Sequence, residues 1–120
     1  MAHTYPEVKI AGRGSSVTGA STETITAVLT ADAATTARLN VQGLKCGTVY
    51  NESGGAVVIT YYASDTKDGT ALALETAGAA AVTQTVPDDG AQTLPVDVAG
   101  VAYLIPVAGS GATVRFHFEY

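Results

Sequence analysis

Arg115, His117 and Glu119 alternate along the last strand-like segment of the chain, so one face there carries a cation, an imidazole and a carboxylate. Those side chains are the ones that general acid–base chemistry uses. Period-two spacing is also what any solvated strand face imposes on its polar residues, and that structural reading is the simpler one. The other histidine, His3, has no orienting partner near it in sequence. Cys46 is the single thiol. As a nucleophile it would need His117 delivered to it in space, and its neighbours Leu44 and Gly47 offer no activation. It reads instead as a small core residue of a strand, and one cysteine permits no intrachain disulfide. No nucleophile-elbow sequence surrounds a serine. The reading is of a chain without catalytic residues, not an enzyme.

Binding chemistry is equally sparse. Asp65 and Asp68, Asp88 and Asp89, and Asp97 further on are acidic enough to interest Ca²⁺. Neither turn, however, supplies the alternating oxygen ligands and distal Glu of an EF-hand. Asp before Gly is what an ordinary turn selects, so no metal and no cofactor is expected. Gly12-Arg13-Gly14 is no phosphate loop, for the Lys-Ser/Thr pair is missing. Tyr61 and Tyr62, with Tyr50 and Tyr103, are candidates for an aromatic sugar-binding platform. Adjacent residues of a strand point to opposite faces, which puts one of Tyr61 and Tyr62 in the core and the other outside. An exposed tyrosine serves equally as an anchor for a protein partner.

The elements that must position these groups are strands. The 120 residues make one domain, 47% hydrophobic and 14% charged, with two Phe and no Trp. Such apolar content excludes a disordered chain, although a core of Ala and Val gains less from burial than one of larger side chains. The net charge of −5 and six scattered basic residues argue against nucleic acid. Met1 to Glu7 has neither the basic nor the apolar region of a signal peptide. The most apolar window, Ala77 to Val82, is too short to span a bilayer, so no membrane partner is expected.

Residues 1–21 read as an extended N-terminal arm, in which Tyr5 to Ile10 can pair as an edge strand and Gly12 to Ser21 is flexible by composition. Residues 22–120 read as the sandwich domain. Thr22 to Thr30 turns Ile25, Ala27 and Leu29 to one face. Asp32 to Ala37 is a helical turn capped by Asp32, or a loop. Arg38 to Gln42 points Leu39 and Val41 inward. Strands are expected at Ala71–Glu75, Val82–Val86, Leu94–Val98 and Val101–Ile105, with Gly90 supplying the positive φ of the Pro87–Gly90 turn. In Ala112 to Tyr120, Val114, Phe116, Phe118 and Tyr120 share the inward face. Eight or nine short strands at this spacing predict an all-β antiparallel sandwich, jelly-roll-like.

The segment Gly43 to Tyr62 sets two β-branched and aromatic runs around Asn51-Glu52-Ser53-Gly54-Gly55, which predicts a β-hairpin. With Leu94-Pro95-Val96 and a closing Gly109-Ser110-Gly111 hairpin, it resembles small structural proteins of tailed bacteriophages, over roughly residues 40 to 120. The resemblance implies a virion surface protein: a head decoration, or cement, protein on the capsid surface. Such a protein would be a homotrimer bound to the major capsid protein where capsomers meet. The arm, through Tyr5, Val8, Ile10 and Arg13, is the expected capsid contact. A carbohydrate- or receptor-binding module of a phage head or tail fibre is the alternative.

Overall fold

Alternation of β-branched and aromatic residues with polar ones builds nearly every element. The computed structural model describes residues 7–8, 22–75 and 81–119. Ten strands lie there: β1 (Glu7–Val8), β2 (Thr22–Leu29), β3 (Arg38–Asn40), β4 (Cys46–Asn51), β5 (Val57–Ser64), β6 (Leu72–Ala73), β7 (Thr83–Val86), β8 (Gly90–Thr93), β9 (Tyr103–Ala108) and β10 (Ala112–Glu119). Among the described residues there is no helix.

Two sheets pack face to face. One runs β1-β3-β9-β5, with β6 and β7 end to end on the far side of β5; the other runs β2-β10-β4-β8. We call them the β5 sheet and the β10 sheet. All pairings are antiparallel except that of β1 with β3, where Val8 stands in register with Leu39. From β2 onward every connection passes from one sheet to the other, apart from those on either side of β6.

That crossing corrects two expected hairpins. Asn51–Gly55 does not close one, because β4 lies in the β10 sheet and β5 in the β5 sheet. The segment is an arch between layers. Gly109-Ser110-Gly111 likewise arches from β9 to β10. A turn-forming sequence between two alternating strands reads the same in both cases, since both strands bury one face whichever sheet holds them. Asp65–Gly69, by contrast, closes a hairpin within one sheet, with Tyr62 opposite Ala73 and Ala63 opposite Leu72.

Asp32–Ala37 is the expected turn, in which the Asp32 carboxylate accepts from the Ala34 amide at 2.8 Å. Smaller departures have local causes. In the Pro87–Gly90 turn the positive φ, 56°, belongs to Asp89. Gly90 is needed for a different reason: a Cβ there would sit 2.7 Å from Pro87 Cγ. Leu94–Val98 is not a strand; β8 ends at Thr93, and the following segment bonds to β4 through Leu94 N–H to Gly47 O and to its flank through Val98 N–H to Lys45 O, both 2.9 Å. Of the expected strand Ala71–Glu75, only Leu72 and Ala73 pair as β6, and Glu75 makes an isolated bridge to Ala81.

The core lies between the sheets. Ile25, Ala27, Leu29, Val49, Val114, Phe116 and Phe118 meet Leu39, Val57, Ile59, Tyr61, Val86 and Leu104 from the opposite layer, all buried. Tyr120 lies outside the described residues. Phe116 and Phe118 stack with ring centroids 5.9 Å apart. Phe118 covers Gly47, its register partner, so closely that a Cβ there would lie 2.7 Å from the ring. Gly47 therefore occupies an inward position of β4, which leaves Cys46, one residue earlier, outward and exposed rather than in the core.

Candidate functional site

The outward face of the β10 sheet gathers the side chains with chemical potential. Arg115 on β10 lies between Thr26 on β2 and Tyr50 on β4; His117 lies between Thr24 and Thr48; Glu119 is opposite Cys46. Each is engaged by its own neighbours. Arg115 pairs with Glu52, and its guanidinium stands 5.4 Å from the centre of the Tyr50 ring. His117 Nδ1 and Thr24 Oγ1 share a hydrogen bond of 2.7 Å. Cys46 Sγ lies 3.7 Å from Glu119 Oε2 as a weak donor.

The three charged or titratable groups therefore do not converge on a common point. His117 turns toward β2, away from the strand that holds Cys46. Desolvation and the nearby Glu119 carboxylate both raise the Cys46 thiol above its usual range, which disfavours the thiolate a nucleophile requires. A shallow depression beside Arg115 is lined by Thr26, Tyr50, Glu52, Thr113 and Val114. It offers one aromatic ring, with a cation already above it.

The four tyrosines are not brought together. Tyr61 is in the core, where its hydroxyl donates to Gln84 Oε1 at 2.6 Å and burial raises its pKa. Tyr62 is half-buried on the outward side of the β5 sheet, Tyr103 is buried, and Tyr50 belongs to the other sheet. Two of the acidic side chains are held by backbone: Asp88 accepts from the Gly54 amide at 3.0 Å, and Asp97 from the Ala99 amide at 2.9 Å. Among the described residues no three His, Cys, Asp or Glu side chains are grouped as metal ligands would be. Of the expected capsid-contact residues, Tyr5, Ile10 and Arg13 lie outside the described residues, and Val8 is seen through its backbone pairing alone.

Three residues that the sequence reading passed over organise the scaffold. Asn51, fully buried, donates through Nδ2 to Gly55 O, Val86 O and Pro87 O at 2.8, 3.1 and 3.2 Å. Its Oδ1 accepts from the Ser53 amide and hydroxyl at 3.0 and 2.7 Å. It thus ties the β4–β5 arch to the β7–β8 arch. Gln84 takes the Tyr61 hydroxyl and donates across the layers to Thr93 O at 2.8 Å. Arg38, only 1% exposed, reaches from β3 to the β5–β6 loop, where Nη1 donates to Lys67 O and Gly69 O at 3.2 and 2.7 Å. Asn at the end of a strand and shortly before Ser-Gly was the readable signal for the first of these; Gln84 and Arg38 left none.

No protein-family model matches the chain, and neither does any curated protein or solved structure.

Proposed function

We propose that this chain is a non-catalytic structural protein of a tailed-phage virion. In this reading it is a jelly-roll sandwich that decorates and stabilises the capsid as a homotrimer docked on the major capsid protein where capsomers meet. The observation that carries the reading is the strand order. Leaving aside the two-residue strands β1 and β6 of the six-stranded layer, consecutive strands alternate between β3-β9-β5-β7 and β2-β10-β4-β8 at every step but that from β5 to β7, and the long strands β2 and β10 lie side by side. Double-sheet jelly rolls of this kind recur in viral capsid and lectin domains. Within Gly43 to Tyr62, one of the segments that carry the resemblance to phage proteins, Asn51 to Gly55 builds the Asn51-centred arch. In this reading the arm, with Tyr5, Val8, Ile10 and Arg13, supplies the capsid contact, and three copies multiply its effective concentration.

The test is to measure the mass of the pure protein and then its binding to undecorated heads of the phage whose genome carries the coding sequence. Three copies per particle and saturable head binding are expected, with a shortened chain starting at Thr22 keeping its fold but losing occupancy. Undiminished occupancy by the shortened chain would move the contact from the arm to the sandwich. Failure to bind heads, together with saturable binding to an oligosaccharide, would favour the glycan-binding alternative, with the Tyr50 depression as its site.

A further inference from the structure

Of the described edge strands β2 is the longest and the least protected. It pairs with β10 along all 8 of its residues without a bulge, and the β10 sheet ends there. The other edge strands are two to four residues long. Natural sheets blunt long edges with Lys, Pro or a bulge, and β2 has none of these.

Backbone phase shows how much of this edge is open. The Val28 carbonyl accepts from the Ala37 amide at 3.2 Å, so Val28 directs its backbone groups away from β10. Every second residue of an antiparallel strand does the same, which turns the N–H and C=O of Thr22, Thr24 and Thr26 outward as well. The far end of β2 is closed, where Thr30 bonds to Thr36 and Ala108. Among the described residues no backbone hydrogen bond reaches Thr22, Thr24 or Thr26 from beyond the edge. A row of main-chain donors and acceptors in extended geometry is completed by another strand.

The edge complements itself. About a twofold axis at Thr24, antiparallel pairing sets Thr24 against the partner's Thr24 and Thr26 against the partner's Thr22. All the open residues are then used, for about six main-chain hydrogen bonds. Glu23, the one charge on β2, falls opposite the partner's Ile25 and not opposite its own image. Arg115 neighbours Thr26 and Glu119 neighbours Thr22, so each outer row of the joined sheet runs from Arg115 to the partner's Glu119. Those opposite charges stand three strand spacings apart, ~14 Å, where they orient the encounter at low salt rather than bond. An axis at Thr26 instead would align Arg115 with its own image and meet the Val28 carbonyl already bonded to Ala37.

We propose that two copies of this chain join along the Thr22–Thr26 edge of β2, antiparallel about a twofold axis at Thr24, so that their β10 sheets become one continuous sheet. The contact is separate from the homotrimer of the decoration reading: it joins single copies, or threes of copies, in pairs.

Native mass spectrometry and sedimentation of the full chain across the micromolar range test it. The particle mass is expected to double with concentration, and the Thr22, Thr24 and Thr26 amides to exchange more slowly in the doubled form. Thr24→Lys and Thr24→Glu, at an exposed position, should each fold and abolish doubling by setting like charges together on the axis. Mixed in equal amounts, the two variants should restore it. A mass that never doubles, variants that still double alone, or a mixture that stays undoubled overturns the proposal. If neither variant folds, the exchange measurement on the wild type decides, and amide rates unchanged by doubling overturn it. A fixed mass of three copies with saturable head binding sinks this contact and leaves the decoration reading standing, whereas doubling without head binding does the reverse.

Discussion

Arg38 and Arg115 both stand on the outward side of a strand, one in each sheet, and meet opposite fates. Arg38 is 1% exposed and donates to two carbonyls of the β5–β6 loop, whereas the Arg115 side chain is 47% exposed and pairs with Glu52 over the Tyr50 ring. The difference lies in what the neighbouring chain does. A loop folds back over the β3 end of the β5 sheet and turns an outward cation into a structural clamp. Over the β10 sheet no described segment does so at Arg115, and the same side chain becomes part of a solvated row. An outward position of a sandwich is thus a surface position only when the connections leave it open.

The inner faces should not share this asymmetry. Phe116→Ala under the β10 sheet is expected to cost about 3–5 kcal/mol and Ile59→Ala under the β5 sheet about 2–5 kcal/mol, since both residues are completely buried. Thermal or urea unfolding measures both. An unchanged midpoint for either would mean that one layer is not packed against the other.

Arg38→Ala is the sharper test of the comparison itself. It leaves Lys67 O and Gly69 O without their charged donor and should cost about 2–3 kcal/mol. Faster hydrogen exchange in the 65–69 loop is expected, with β10 unaffected. A surface-like effect of a few tenths would erase the distinction between the two arginines.

Tyr61→Phe probes the polar bridge between the layers. Loss of the hydroxyl deprives Gln84 Oε1 of its donor and should cost about 1–2 kcal/mol near neutral pH. Burial raises the folded-state pKa of Tyr61 above its unfolded value of about 10. Its contribution is therefore complete below pH ~10 and is lost as pH rises above it, by up to about 1.4 kcal/mol per pH unit. The Phe variant should show a shallower alkaline decline in denaturation experiments; an identical slope would mean that Tyr61 titrates freely.

Arg115→Ala should be the mildest, below about 1 kcal/mol, because its ion pair is exposed and screened. Any effect should shrink in high salt. A cost matching that of Arg38→Ala would show that the β10 face is covered too.

Much of the architecture was legible from alternation alone. Ile25, Ala27 and Leu29, Leu39 and Val41, and Val114, Phe116 and Phe118 all face inward as their spacing predicts. Period-two patterning reports which side of a strand is apolar, and both layers bury one side. Cys46 escaped it because the inward phase of β4 begins with Gly47, a residue with no side chain to mark the face, pressed against Phe118. Leu94–Val98 escaped it because an irregular segment can follow β4 through isolated backbone bonds without alternating into a sheet.

The candidate site was visible as residue types and invisible as geometry. The order Arg115, His117, Glu119 was plain, but their engagement by Glu52, Thr24 and Cys46 depends on which strands flank β10. By itself, then, the amino-acid order determined that this protein is a sandwich of short strands, most of the residues that form its core, and where its turns fall. Those properties come from interactions local in sequence: side-chain alternation, turn chemistry and apolar content. Whether a turn returns within one sheet or arches to the other was decided only by the tertiary structure, and so were the burial of Arg38 and the outward turn of Cys46. Each depends on contacts between segments distant in the chain, and no local pattern encodes which two strands will be neighbours.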